Sequence, residues 1–166
     1  MEYITACESP LGEITLACDG ESLTGLWFRG QKYDGTGRKA IREDSLPVFT
    51  AAREWLAAYF SGGKPAPGDL PLAPAGTDFR QLVWGFLCEI PYGERTTYRE
   101  IARKTALRMS RPHMSAQAVG GAIGHNPISI IIPCHRVIGS NGSLTGYAGG
   151  LDRKIRLLEI EGSYPI

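Results

Sequence analysis

TDFRQLVWGFLCEIPYGERTTYREIA, residues 77–102, carries the pattern on which the fold turns. Phe79, Leu82, Val83, Phe86, Leu87 and Ile90 recur at three- and four-residue steps, the period of a helix with one apolar face. Thr77 or Asp78 supplies its cap, and Pro91-Tyr92-Gly93 ends it. Thr97 and Glu100 then stand at capping-box spacing and start a second helix through Ile101 and Ala102. A third helix is expected from about Ser115 to Gly124. Two short helices joined by a basic connector, Lys104 to Met114, resemble a helix-turn-helix whose turn is longer than the usual 3–4 residues.

Upstream the period changes. Tyr3 to Cys7, Glu13 to Cys18 and Leu23 to Phe28 are β-prone runs parted by turn signals at Ser9-Pro10-Leu11-Gly12 and Asp19-Gly20, which predicts a three-stranded antiparallel meander. Pro47 opens a helix with Phe49, Ala52, Leu56, Tyr59 and Phe60 at helical spacing, and Gly62-Gly63 stops it. Pro65, Pro67, Pro71 and Pro74 mark the following tract as a surface linker. The expected class is α/β, of the α+β kind: a sheet-and-helix domain over 1–75 and a mostly helical domain over 76–166. A chain of 166 residues and 18.0 kDa has room for one such bipartite unit and no more.

Hydrophobic residues at 43% and charged residues at 21% match folded globular chains, which excludes a disordered or fibrous protein. The run from Ile128 to Ile132 is far short of the ~20 apolar residues of a membrane span, and Met1 to Ala6 lacks a signal-peptide pattern, so a cytoplasmic protein without membrane contact is expected. In that compartment Cys7, Cys18, Cys88 and Cys134 are expected as free thiols. Neither they nor His113, His125 and His135 follow zinc-site spacing, so neither metal nor cofactor is expected. The net charge of +1 conceals a division: residues 1–75 carry 7 basic against 10 acidic side chains, and residues 76–166 carry 11 against 7. Between positions 95 and 111, Arg95, Arg99, Arg103, Lys104, Arg108 and Arg111 face only Glu100, a footprint that suits a polyanion as well as a solvated helix face.

The third helix is nearly bare, with Ala116, Ala118, Gly120, Gly121, Ala122 and Gly124. Glycine costs a helix up to about 1 kcal/mol relative to alanine, so the clustering calls for close approach. Tight internal packing is one reason; entry into a groove ~6 Å wide, the DNA minor groove, is another. Beyond it Ile128-Ser129-Ile130-Ile131-Ile132 reads as a short buried strand, and Pro133-Cys134-His135 follows. An imidazole that takes the thiol proton makes a thiolate, but neighbours on a strand point to opposite faces, so Cys134 and His135 cooperate only if the backbone turns there. Pro133 favours such a turn. On these residues alone a buried structural cysteine is the competing reading.

The block PCHRVIGSNGSLTGYAGGLDRKIRLLEIEG, with GERTTYREIA and AVGGAIGHNPISII before it, resembles the O6-alkylguanine-DNA alkyltransferases, whose signature is PCHRV. The N-terminal half then looks like that family's ribonuclease-H-like domain. The resemblance implies a monomeric, single-turnover methyltransferase that repairs duplex DNA by taking the alkyl group of O6-alkylguanine onto Cys134. It implies that His135 takes the thiol proton through a water, that Glu161 orients the imidazole and that Asn126 braces the site. The base, flipped through the minor groove, would meet Tyr98, the Val137 carbonyl, Tyr147 and the Ala148 N–H. Thr97, Ala116, Gln117, Ala118, Gly120, Arg136 and Ser140 would meet the DNA. Two departures stand out: Gln117 occupies the place of the family's arginine finger, and the connector is longer than the common pattern. A lesion-binding protein that does not repair, a thiol hydrolase using Cys134, His135 and Glu161, and a DNA-binding regulator are the rival readings.

Overall fold

The computed structural model describes residues 1–31, 39–144 and 146–165. It contains two compact units, Met1–Ala75 with Pro127–Ile131, and Gly76–Asn126 with Ile132–Ile166. In the first, strands β1 (Tyr3–Ser9), β2 (Gly12–Cys18) and β3 (Leu23–Phe28) form the expected antiparallel meander. A fourth strand, β4 (Ile41–Arg42), pairs parallel to β1, giving the order β3-β2-β1-β4. Two exposed residues leave no alternation to read, so β4 is invisible in the sequence. Ile14 faces Phe28 and Leu16 faces Leu26 across the sheet, all four fully buried. Helix α1 (Pro47–Phe60) packs on β2 and β3 and buries Phe49, Ala52, Leu56 and Tyr59. Each such side chain contributes about 1.5–3 kcal/mol by leaving water, apart from the smaller Ala52.

Two expectations are corrected in this unit. The proline-rich tract is more than a linker: Leu23 N–H donates to the Pro71 carbonyl (2.8 Å) and Ala73 N–H to the Leu23 carbonyl (2.8 Å), so Leu72 bridges β3, and Leu70 is buried. Nor is Ile128–Ile132 a strand. Ile128 makes one bridge to Leu26, after which the chain turns with Ile130 at φ 70. Pro127 removes a ladder donor and the turn removes the period, although the isoleucines are as buried as a strand would make them.

The second unit is helical around a small parallel pair, β5 (Thr96–Thr97) with β6 (Val137–Ile138). Helix α2 (Asp78–Cys88) is capped by Thr77 and buries Val83, Trp84, Phe86 and Leu87. The Trp84 indole N–H donates to the Ala122 carbonyl (2.8 Å) and so fastens α4 (Ala116–Gly124) to α2. Thr97 caps α3 (Tyr98–Arg108) by accepting from the Glu100 N–H at 3.0 Å. This helix runs six residues past Ala102 because Arg103, Lys104, Ala106, Leu107 and Arg108 are strong helix formers. It stops at a Schellman pair, Ser110 N–H to the Leu107 carbonyl (3.2 Å) and Arg111 N–H to the Ala106 carbonyl (2.9 Å), with Ser110 at φ 55. The connector between helices is therefore residues 109–115. Helix α5 (Leu151–Ile160) ends on Glu161. Among the described residues no helix is long and apolar enough to cross a membrane.

Candidate active site

Pro133 (φ −80, ψ 64) ends the turn after Ile132, and Cys134–Arg136 form one turn of 3-10 helix before β6. The backbone thus turns at the cysteine, which removes the strand alternation that would have set Cys134 and His135 on opposite faces. The Cys134 side chain lies in the protein interior, 6% exposed. Burial pushes its thiol up, while a hydrogen bond from the Asn126 side chain and the positive charge of Lys154 pull the other way. Asn126 is itself fixed by donating Nδ2–H to the Ile132 carbonyl at 2.8 Å.

His135 is fully buried and its Nε2 lies 2.6 Å from Glu161 Oε2. Burial alone would raise the Glu161 carboxyl; hydrogen bonds and charge from His135 and Arg136 outweigh it and hold the group at about 2. An ionised carboxylate only accepts, so Nε2 carries the ring proton. Burial keeps the imidazole below its ordinary value, against the pull of Glu161, so it is neutral at pH 7. Nδ1 is then the basic nitrogen, and it is buried with no hydrogen-bond partner among the described residues. The result is a neutral imidazole, next in chain to a thiol, with its free lone pair fixed by a carboxylate behind it.

Arg136 was expected at the DNA. Instead it is 4% exposed, with Nε 2.7 Å from Glu161 Oε1, NH2 3.1 Å from Oε2 and NH1 2.6 Å from the Ile90 carbonyl. A buried guanidinium forked on a carboxylate is out of reach of a phosphate, so Arg136 is a positioning residue for Glu161. The Gly93 N–H also donates to Glu161 Oε1 (3.2 Å), at φ 83, where a Cβ would press on the Glu161 carbonyl at 3.3 Å. Nothing local in PCHRV reveals this, because the partner lies 25 residues on.

Lys154 was missed, and here a signal existed. On α5 it shares the apolar face with Leu157 and Leu158, three and four residues on, where a charge is out of place. It is fully buried, donates Nζ–H to the Val137 carbonyl (2.6 Å) and lies 5.8 Å from the centre of the Tyr98 ring. Burial lowers it to about 8, partly offset by Cys134, so the ammonium is charged at neutral pH.

Beside this cluster opens a concavity of about 480 Å³ lined by Tyr98, Arg99, Ala116, Gln117, Gly120, Gly139, Ser140 and Gly146. Tyr98 opens α3, and burial, with Cys134 second, pushes its phenol up to about 12. Gly146, at φ 94, lets the Tyr98 hydroxyl in: a Cβ there would come within 3.0 Å of it. Tyr147 stands edge-on to His135 at 6.5 Å, and Ala148 follows it, half-buried, in the turn before α5. Of the residues expected at DNA, Ala116, Gln117, Ala118 and Ser140 are exposed and Gly120 half-buried, whereas the Thr97 hydroxyl is engaged in capping. Val119, Ala122 and Ile123 form the buried face of α4. Its small exposed residues, Ala116, Ala118 and Gly121, are thus left unexplained by internal packing. No group of three His, Cys, Asp or Glu side chains suited to a metal occurs among the described residues.

Comparison with known proteins gives matches over both parts of the chain. Residues 2–74 match the ribonuclease-like domain of 6-O-methylguanine DNA methyltransferase, and residues 78–163 match its DNA binding domain. A methylated-DNA–protein-cysteine methyltransferase of Methanosarcina barkeri is 50% identical over 163 residues, 96% of each chain. That of Haemophilus influenzae is 45% identical over 159 residues, 96% of this chain and 86% of the other. The crystal structure of Mycobacterium tuberculosis OGT in complex with DNA is similar at a TM-score of 0.84 and 45% identity, covering 97% of this chain and 93% of that one.

Proposed function

This chain belongs to the 6-O-methylguanine DNA methyltransferase family, and we infer that the Cys134 sulfur is the alkyl-accepting centre of its reaction. The protein is a methylated-DNA–protein-cysteine methyltransferase and repairs DNA by direct reversal. Its second unit carries both DNA binding and the acceptor. The observation that carries this reading is the buried sequence of contacts from the Arg136 guanidinium through Glu161 to His135, next in chain to Cys134.

The Cys134 proton passes to His135 Nδ1, directly or through a water, and the imidazolium that forms is neutralised by Glu161 at 2.6 Å. The thiolate, stabilised by the nearby Lys154 ammonium and the Asn126 amide, attacks the alkyl carbon in line. An S–C bond forms as the O6–C bond breaks, and the electron pair stays on the purine. Tyr98, whose phenol holds its proton to about 12, retains it in the resting protein and gives it up once the departing guanine becomes a strong base. The base enters the Tyr98–Gly146 concavity. Tyr147 and Ala148 follow Gly146 in the chain beside it, whereas the buried Val137 carbonyl, which the resemblance also assigns to the base, already accepts from Lys154. Reaching the concavity requires the nucleotide to leave the duplex stack. The bare outer face of α4 lies in the minor groove, and Gln117 fills the place the base vacated.

Intact-protein mass after incubation with duplex DNA containing O6-methylguanine tests the assignment. Wild type gains one methyl group and Cys134→Ser gains none. A wild type that binds the duplex and gains nothing would overturn it in favour of a lesion-binding protein.

A further inference from the structure

In the sequence Tyr92 is no more than part of the stop that ends α2. In the fold the segment between α2 and β5 wraps the rear of the acceptor cluster. The Ile90 carbonyl accepts from Arg136 NH1 at 2.6 Å, and the Gly93 N–H donates to Glu161 Oε1 at 3.2 Å. Tyr92 stands between these two anchors in the chain. Its ring centre lies 5.8 Å from the central carbon of the Arg136 guanidinium, and its hydroxyl donates to the carbonyl of Ile160, the last residue of α5, at 3.1 Å. Glu161 and Ile90 engage all three guanidinium nitrogens, which leaves the flat face of the group for a neighbour, and the Tyr92 ring is that neighbour. Tyr92 is half-buried, whereas Arg136 and Glu161 are 4% and 6% exposed, so the ring forms the outer layer over a buried ion pair.

What this layer protects is the state of His135. Burial keeps the imidazole low, Glu161 raises it, and Arg136 and Lys154 lower it again. Cys134 precedes it in the same turn, and the Tyr147 ring stands edge-on to it. Loosening the guanidinium, or letting water reach the ion pair, weakens the burial and the Arg136 charge that hold the imidazole down, and so favours the imidazolium. A cation against a phenol is attracted by the negative face of the ring, and the hydroxyl bond fixes that ring where Glu161 leaves α5. We propose that Tyr92 is a further positioning residue for the methyl transfer: its ring keeps the Arg136 guanidinium seated on Glu161 and so keeps His135 Nδ1 available for the Cys134 proton. This deepens the DNA-repair reading above and rests on it.

The test uses the full chain as wild type, Tyr92→Phe, Tyr92→Leu and Tyr92→pentafluorophenylalanine, the last of which keeps the shape of a ring and reverses the charge of its face. NMR of the ring nitrogens follows the titration of His135 in the DNA-free protein. Single-turnover methyl transfer at saturating DNA is followed over the same range, from about pH 5 to about pH 8. Tyr92→Phe keeps the ring face and titrates as wild type. In the fluorinated and leucine forms His135 takes up its proton at a pH higher by roughly 0.5, and the acid limb of methyl transfer moves with it, about a threefold lower rate on that limb. A packing role alone lowers the melting temperature and moves neither titration. A fluorinated or a leucine form that titrates like Tyr92→Phe would overturn the proposal, and the fluorinated form, being close to phenylalanine in shape, folds even where leucine does not. A wild type that transfers no methyl group would remove the function reading, whereas the His135 titration is read in the free protein and stands apart from it.

Discussion

The buried cluster around Glu161 and the basic face of α3 with its connector both use arginine, and they use it in opposite ways. Arg136 commits all three of its guanidinium nitrogens, two to one carboxylate and one to a backbone carbonyl, at 4% exposure. Arg111 is exposed and forms no ion pair among the described residues. In the interior an unpaired guanidinium is prohibitively expensive, so its charge is consumed in shaping a neighbour. At the surface the same charge is cheap to keep unpaired and stays available for a polyanion that arrives later. Local sequence separates the two cases only in part: Arg136 lies between Ile130–Ile132 and Val137–Ile138, which hints at burial, whereas Arg111 lies in a basic stretch, but the partner that decides the role of Arg136 is 25 residues away.

Exchanging Glu161 for glutamine attacks the buried side hardest. The amide can donate as well as accept, so His135 is no longer held with its proton on Nε2. The single-turnover methyl-transfer rate is expected to fall by about 10³–10⁴ with the salt dependence of binding unchanged. A rate within tenfold of wild type, with an unaltered pH profile, would mean that the carboxylate only packs.

Arg136→Met is expected to cost about 3–5 kcal/mol of folding stability, because it leaves the Glu161 charge buried with one partner fewer. It also reports on pH. Glu161 sits at about 2 in the fold against 4.5 without it, so its contribution is fully present above pH 4.5 and disappears as pH falls toward 2. Removing Arg136 raises the folded value and moves acid unfolding to higher pH, which a series of melting curves from pH 7 to pH 2 reads directly. The opposite shift, or none, would place Arg136 among ordinary packing residues.

The smallest effect is on the surface side. Gln117→Arg adds one exposed charge to α4 and is expected to tighten duplex binding about fivefold at physiological salt. An arginine there that improved neither binding nor transfer would show that the connector already saturates the electrostatic need.

Much of this architecture was legible from short-range signals. The α2 stripe, the Thr97–Glu100 cap and the bare helix α4 each depend on residues within a few positions of one another, and each appears where the sequence places it. What escaped depends on distance along the chain. β4 exists because Tyr3 pairs with Ile41, and the fate of Arg136 is decided by Glu161. Ile128–Ile132 misled because burial and β propensity agreed while Pro127 and the turn at Ile130 forbade the ladder. Of the site, Cys134, His135, Asn126, Glu161 and Tyr98 were expected and lie in one unit, whereas Lys154 needed only closer attention to a charge on an apolar face.

The Schellman stop of α3 bears on how such a protein can vary between lineages. Its two bonds are made by main-chain atoms, Ser110 to Leu107 and Arg111 to Ala106, so the helix ends in register whatever follows. Residues added after that point extend a loop, and doubling a loop costs only about 0.6 kcal/mol. Insertions are therefore tolerated there before they are useful. A family member can acquire a longer connector by drift and have its side chains recruited afterwards, without the catalytic centre ever being exposed to the change.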